Sequence, residues 1–262
     1  MNIPALPQNI VKSLINFLYQ EAKSRGFNRV VLGVSGGIDS AVVAVLCKMT
    51  FGTHLEALLM PSITSSKNSL TDGIALCEQF DIPYQVQSIN QYDESFRTNH
   101  KEANLIRKGN FCTRVRMSLL YDLSQEVRAI VVGTSNKSEL MLGYGTIHGD
   151  LAYAINPIGD FYKTQVYELA KILNIPRHII DKKPSADLYA GQSDEDELGY
   201  TYEEVDRLLF EISKMYSDLS EIDVKKFYQL GFEKEMVNSI VTRIKKNLFK
   251  RTPPAIFTIK KG

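Results

Sequence analysis

The chain has 262 residues, 44% of them hydrophobic, which suffices for one substantial core and lies in the ordinary globular range. Lysine and arginine number 31 against 30 acids, so no global field favours a nucleic acid or a membrane surface, and any phosphate binding has to be local. Cys47, Cys77 and Cys112 form no C-x-x-C pair and sit in apolar or helical contexts; with no leader-like pattern in Met1 to Gln8 and no apolar run of spanning length, a cytoplasmic protein is expected.

From Asn9 to Lys23, the residues Ile10, Val11, Leu14, Ile15, Phe17 and Leu18 recur at helical spacing, and Gly26 stops the helix. Val30 to Val34 is a short run that is apolar on both faces, the pattern of a strand buried inside a parallel sheet. The alternation repeats as helix Ser40 to Met49, strand Leu55 to Met60, helix Lys67 to Phe80, strand Tyr84 to Ser88, a long helical stretch from about Lys101 to Gln125, and strand Ala129 to Val132. This order predicts right-handed βαβ units and an α/β fold: a doubly wound parallel sheet flanked by helices. Ligands of such sheets lie beyond the carboxyl ends of the strands, where strand order reverses, so the loops at Ser35, Pro61 and Thr134 are where a site is expected.

After Pro157 the pattern turns helical, with Thr164 to Leu173 and Pro176 to Ile180. Lys182 to Tyr200 is rich in Ser, Asp, Glu, Gly and Pro and reads as a mobile loop, and Tyr202 to Leu248 is helical again. One domain over 1–262 is expected: an N-terminal helix (1–27), a parallel core (28–160) and a helical part (161–262) with a lid at about 182–200.

The string Gly33-Val34-Ser35-Gly36-Gly37-Ile38-Asp39-Ser40 joins a buried strand to a helix. Paired glycines let the backbone approach a ligand and offer its N–H groups, while the helix N-terminus adds partial positive charge, so an anion is the natural guest. Ser35 and Ser40 add hydroxyls, whereas a carboxylate at Asp39 repels a phosphate unless a cation such as Mg²⁺ lies between them. The string is neither G-x-x-x-x-G-K-[ST] nor G-x-G-x-x-G, which removes most of the weight from kinase and dinucleotide-dehydrogenase readings. As a tight turn alone, the Gly-Gly pair would carry no chemistry; the whole string in this setting does.

This string resembles the S-G-G-x-D-S loop of the ATP pyrophosphatase superfamily, whose fold is adenine nucleotide alpha hydrolase-like. The resemblance implies ATP bound over Gly33 to Ser40 and adenylation with release of pyrophosphate, but the loop alone leaves NAD synthetases, GMP and asparagine synthetases, and tRNA-thiolating enzymes open. Gly133-Thr134-Ser135-Asn136-Lys137-Ser138-Glu139, after the strand ending at Val132, is similar to an NAD synthetase stretch. There the likeness implies a metal-binding Glu139 and a nucleotide contact at Thr134, and two carboxylates from neighbouring strand ends suit Mg²⁺ bridging phosphates.

Asn156-Pro157-Ile158 leading to Lys163, and Lys183-Pro184-Ser185-Ala186-Asp187-Leu188 leading to Gln192-Ser193-Asp194-Glu195, also resemble that family. They imply phosphate-facing roles for Lys163 and Ser185 and a lid that orders over ATP. Gly109 to Met117 resembles its Gly-Asn-x-x-x-Arg-x-Arg-Met helix, which makes Arg114 the candidate contact for the pyridine nucleotide, while Arg116 reads equally as a structural ion pair. Lys250, in Phe249-Lys250-Arg251, matches a C-terminal substrate contact.

One departure is plain. Many members carry Lys-Tyr-Gly-Asp-Gly-Gly-x-Asp before the Asn-Pro, and here Ile147 to Ala154 keeps Asp150 but neither the lysine nor the second aspartate. Taken together, the resemblance implies an ammonia-dependent NAD synthetase acting on ATP and nicotinic acid adenine dinucleotide (deamido-NAD), with Asp39, Asp150 and Lys163 as catalytic residues, Asp150 receiving a proton from ammonium, and a homodimer. No cysteine belongs to a recognisable nucleophile arrangement with His and Glu, so glutamine is not expected as nitrogen donor. The alternatives are another adenylating enzyme of the superfamily, such as a tRNA thiolase, and a non-catalytic nucleotide-sensing module.

Overall fold

The computed structural model describes residues 3–184 and 193–259. Strands β1 (Val30–Gly33), β2 (Leu55–Leu59), β3 (Tyr84–Val86) and β4 (Ile130–Val131) form one parallel sheet in the order β3-β2-β1-β4. Val30 pairs with Leu55 on one side and with Ile130 on the other, so the chain works outward from β1 to β3 and then returns across β1 to lay down β4. The reversal of winding falls between β1 and β4, and their exit loops diverge there into a crevice. β4 is shorter than its apolar run, but the ladder continues, since Val132 N–H donates to Val31 O at 2.9 Å and Val132 bridges to Ile155.

One face of the sheet packs against α1 (Ile10–Ser24), α2 (Ile38–Phe51) and α7 (Lys163–Ile172) in a core that includes Leu18, Leu32, Leu46, Leu59 and Leu169. α2 is apolar on every side from Ala41 to Cys47 because it is enclosed between the sheet and other helices. The other face holds Val31, Leu58 and Met60 against Cys112 and Leu123 of α5 (Leu105–Glu126). A third cluster, around Phe227, joins α6 (Lys137–Leu142) to the C-terminal helices α10 (Tyr202–Met215), α11 (Val224–Gln229) and α12 (Lys234–Asn247). α3 (Lys67–Gln79) and α8 (Arg177–Ile180) complete the layers near their expected places.

Two expectations are corrected. Helix α4 (Asn90–Asn99) occupies a stretch too polar to show a stripe; the Arg97–Asp93 bridge at 2.6 Å and the stacking of Phe96 on Phe111 hold it, and the long helix expected from about Lys101 begins only at Leu105. The acidic run before Tyr200 is not all loop: Ser193 accepts a hydrogen bond from Asp196 N–H and opens helix α9 (Asp194–Leu198), closed by left-handed Gly199. Ser185, and with it residues 185–192 of the expected lid, lies outside the described residues.

Candidate active site

The loop after β1 is shaped by its glycines and serines. Gly36 has φ +78°, a conformation that disfavours any side chain, and a Cβ there would run into the Ser69 carbonyl at the start of α3. Ser35 Oγ accepts from Gly37 N–H at 3.2 Å and lies 3.1 Å from Ser40 Oγ, which accepts from Ser35 N–H at 3.2 Å and donates to Gly37 O at 2.9 Å. α2 opens at Gly37 with no side-chain cap, so its N-terminal amides and dipole face the crevice and suit an anion.

Asp39, Glu139 and Lys163 meet at the edge of this crevice, although 100 and 24 residues of sequence, respectively, separate Asp39 from Glu139 and Glu139 from Lys163. Lys163, the first residue of α7, is 3% exposed and places its ammonium 2.5 Å from Asp39 Oδ2 and 3.6 Å from Glu139 Oε1. Burial opposes the charge on Lys163, but Asp39 and then Glu139 outweigh it and raise the ammonium above the ordinary lysine range. Burial, followed by the charge of Asp39, pushes the Glu139 carboxyl well up, and Lys163 pulls it back. Lys163 therefore lies between the two carboxylates instead of standing alone toward the loop.

Asn136, not singled out in the sequence, ties the cluster together. Its Nδ2 donates to Asp39 Oδ1 at 2.9 Å, its Oδ1 accepts from Glu139 N–H at 2.9 Å, and its own N–H donates to Glu139 Oε2 at 3.2 Å. That reciprocal pair is a capping box, and Asn136-Lys137-Ser138-Glu139 carries its spacing in plain view. Thr134 lies on the connection from β4 to Asn136, next to Gly133, where a Cβ would meet the Tyr153 ring.

The remaining predicted residues gather on the segment from Gly143 to Asp150. Lys250 Nζ donates to Gly143 O at 2.8 Å and Gly145 O at 2.9 Å, Arg114 Nε donates to Ile147 O at 3.3 Å, and Asp150 Oδ1 accepts from Thr146 N–H at 2.7 Å. Asp150 keeps an exposed edge, but the protein packed around its carboxyl pushes it up, while its backbone hydrogen bonds and the cations Lys250 and Arg116 pull it back. Arg116 is placed by Met60 O at 2.9 Å and Ser65 Oγ at 3.3 Å, just past the carboxyl end of β2, and its charge acts on Asp150. A cavity of about 280 Å³ lined by Glu139, Leu140, Gly143, Leu151, Tyr153, Lys250 and Arg251 connects this segment to the carboxylate cluster. Arg251 is a second residue that the sequence reading passed over.

The arrangement offers an anion cradle, two carboxylates and a buried cation beside a cavity large enough for part of a second substrate. Residues 10–254 match the family described as NAD synthase. The chain is 53% identical over 249 residues to an NH(3)-dependent NAD(+) synthetase of Helicobacter pylori (strain ATCC 700392 / 26695), covering 95% of each protein. Among solved structures it resembles an NH3-dependent NAD synthetase from Campylobacter jejuni (TM-score 0.81, 36% identity, 97% of this chain and 100% of that one). It also resembles an NMN synthetase from Francisella tularensis (TM-score 0.85, 32% identity, 98% and 100%). The fold is accordingly adenine nucleotide alpha hydrolase-like. Matched over nearly all of its length by the family and by these relatives, the chain belongs to the NAD synthases.

Proposed function

We propose that the protein is a ligase that amidates deamido-NAD with ammonia, consuming ATP and giving NAD, AMP and pyrophosphate, as the last step of NAD biosynthesis. The observation that carries this reading is the meeting of the uncapped, glycine-shaped start of α2 with Asp39, Glu139 and Lys163 at the point where the sheet reverses its winding. Close identity to NH(3)-dependent NAD(+) synthetases supports the choice of substrates.

ATP lies with its β and γ phosphates on Ser35 to Ser40, where backbone amides and the two hydroxyls grip the departing diphosphate. The nicotinate carboxylate attacks the α phosphorus, forming the acyl–phosphate bond as the bond to pyrophosphate breaks. Lys163, kept fully charged by its neighbours, brings fixed positive charge to the phosphates as negative charge builds there. Ser185, if it follows the family pattern, adds a hydroxyl to the same phosphates. Ammonia then attacks the adenylated carbonyl, AMP leaves, and Asp150 takes the surplus ammonium proton. Thr134 contacts the nucleotide, and Arg114 and Lys250 hold the dinucleotide at the Gly143 to Asp150 segment.

Mg²⁺ fits the donor set. Among the described residues no group of three His, Cys, Asp or Glu side chains could hold a metal alone. Asp39 and Glu139 nonetheless bring two hard carboxylates to one point, and Mg²⁺ is commonly held by one or two carboxylates together with substrate phosphates and water. Asp39 and Glu139 would hold the ion, which would supply neutralising charge to the phosphates.

A homodimer is part of this reading, supported by Leu105, Ile106 and Tyr121, which expose apolar surface on α5. The cytoplasm is the proposed compartment: the three cysteines are free, and among the described residues no helix is long and apolar enough to cross a membrane. A coupled assay of the purified protein with ATP, Mg²⁺, ammonium and deamido-NAD should form NAD, with no product when glutamine replaces ammonium. Amidation of the nicotinate mononucleotide in preference to the dinucleotide would overturn the substrate assignment, and turnover with glutamine would overturn the donor.

A further inference from the structure

Lys163 and Glu139 sit on different helices, and neither contacts the other strongly enough to set their spacing. That spacing is set from behind. Lys163 is the first residue of α7 and Thr164 the second, so both N–H groups belong to the helix turn that has no internal acceptor. Lys163 N–H donates to Ser138 Oγ at 2.9 Å, and Ser138 Oγ donates in turn to Asp206 Oδ1 at 2.5 Å. Thr164 N–H donates to the other oxygen, Asp206 Oδ2, at 2.8 Å. Ser138 immediately precedes Glu139 in α6, and Asp206 lies in the middle of α10.

Asp206 and Ser138 are both fully buried. Among the described residues Asp206 forms no salt bridge, so a carboxylate removed from water is compensated by directed N–H and O–H donors and by the positive end of α7. Burying an acid on these terms is expensive, and an asparagine or a leucine would pack a helix interface more cheaply. What the carboxylate supplies that they cannot is two acceptor oxygens, each fixing a different partner: one the start of α7, the other the serine next to Glu139.

We propose that Asp206 is a positioning residue for the reaction read above: through Ser138 and the first turn of α7, it fixes the Lys163 ammonium relative to the Glu139 carboxylate. This rests on that reading for the identity of the reaction, though the relay itself is a property of the folded protein. α10 also carries Tyr202, whose ring centroid lies 5.5 Å from Lys163 Nζ and whose hydroxyl donates to Asp194 Oδ2 at 3.1 Å. The helical C-terminal part thus supports the lysine at both its backbone and its side chain. Since misplacement of a reacting group by about 1 Å can cost roughly 100-fold, loss of the relay acts on the chemical step more than on ATP binding.

The test uses the full-length protein with Asp206→Asn, Ser138→Ala and the double variant. Each single variant should lower kcat by about tenfold or more, with KM for ATP changed less than about threefold, and the double variant should be no slower than the worse single because both act through one chain of bonds. Ser138→Thr, which keeps the hydroxyl, should recover most of the loss where its added methyl is accommodated, as judged by a wild-type melting temperature. Amide hydrogen exchange, measured without substrate, should quicken at Lys163 and Thr164 by about tenfold or more in Asp206→Asn and stay unchanged in the loop at Ser35 to Ser40. Folded variants with wild-type kcat, or with wild-type exchange at both amides, would overturn the proposal; a matched rise in KM and fall in melting temperature at unchanged kcat would reduce Asp206 to a structural residue. If the wild-type protein makes no NAD, the reading of the reaction fails, while exchange at the two amides still decides whether the relay exists.

Discussion

Replacing Gly36 by alanine tests the anion loop most directly, because two separate costs can be read from the structure. The first is conformational: at φ +78° an L-residue is strained by roughly 1–2 kcal/mol. The second is steric, since the new methyl would enter space held by the Ser69 carbonyl, backbone that cannot swing aside, and overpacking of this kind costs roughly 1–3 kcal/mol. Together they give roughly 2–5 kcal/mol, or a fall in melting temperature of about 5–15 °C for a chain of this size. Gly26 provides the control, as its φ of +81° is nearly the same but nothing lies within 4 Å of a Cβ there, so Gly26→Ala should show only the first cost, about 2–6 °C. The loop can relieve its strain only by moving Ser35 and Gly37, so ATP–pyrophosphate exchange should fall about 100-fold in Gly36→Ala and stay at the wild-type level in Gly26→Ala. Equal melting shifts in the two variants, or full exchange activity in Gly36→Ala, would show that the close approach of α3 does not shape the loop.

Lys163→Met should destabilise the protein by about 3–5 kcal/mol in urea unfolding, because it leaves the Asp39 and Glu139 carboxylates facing each other without their cation; a loss below about 1 kcal/mol would mean that solvent already compensates them. Asp150 keeps an exposed edge, yet the protein packed around its carboxyl disfavours the charge and holds it above the ordinary aspartate range; as a base it works only when deprotonated, so kcat/KM at fixed free ammonia should rise with pH through that raised value. Asp150→Asn should lower the rate and abolish this acid limb, and an unchanged pH profile would remove Asp150 from proton transfer.

Much of this site could be read from the residues alone because its chemistry is local. A glycine pair, two serines and an acid between a buried strand and a helix restrict the backbone and its guest within eight positions, and the alternation of apolar runs gave the parallel sheet. Lys163 was harder: its role depends on Asp39, a partner 124 residues away, and no spacing rule reports that the ammonium would be enclosed by carboxylates. α4 went unread because it is held by one buried ion pair and a ring stack, neither of which leaves an apolar stripe. Asn136 was within reach, since an asparagine three residues before a glutamate marks a helix start, but its second bond, to Asp39, exists only once β1 and β4 lie side by side.

α6 is only six residues long, yet it faces two ways: Met141 and Leu142 enter the apolar cluster of the C-terminal helices, while Glu139 reaches Lys163 of α7 and the capping Asn136 reaches Asp39 of α2. The seam between the two hydrophobic cores is therefore stitched by the same charged groups that are assigned to the triphosphate. Nucleotide occupancy should be felt on both sides of that seam, raising the thermal resistance of the C-terminal helices along with that of the sheet although none of those helices need touch the phosphates.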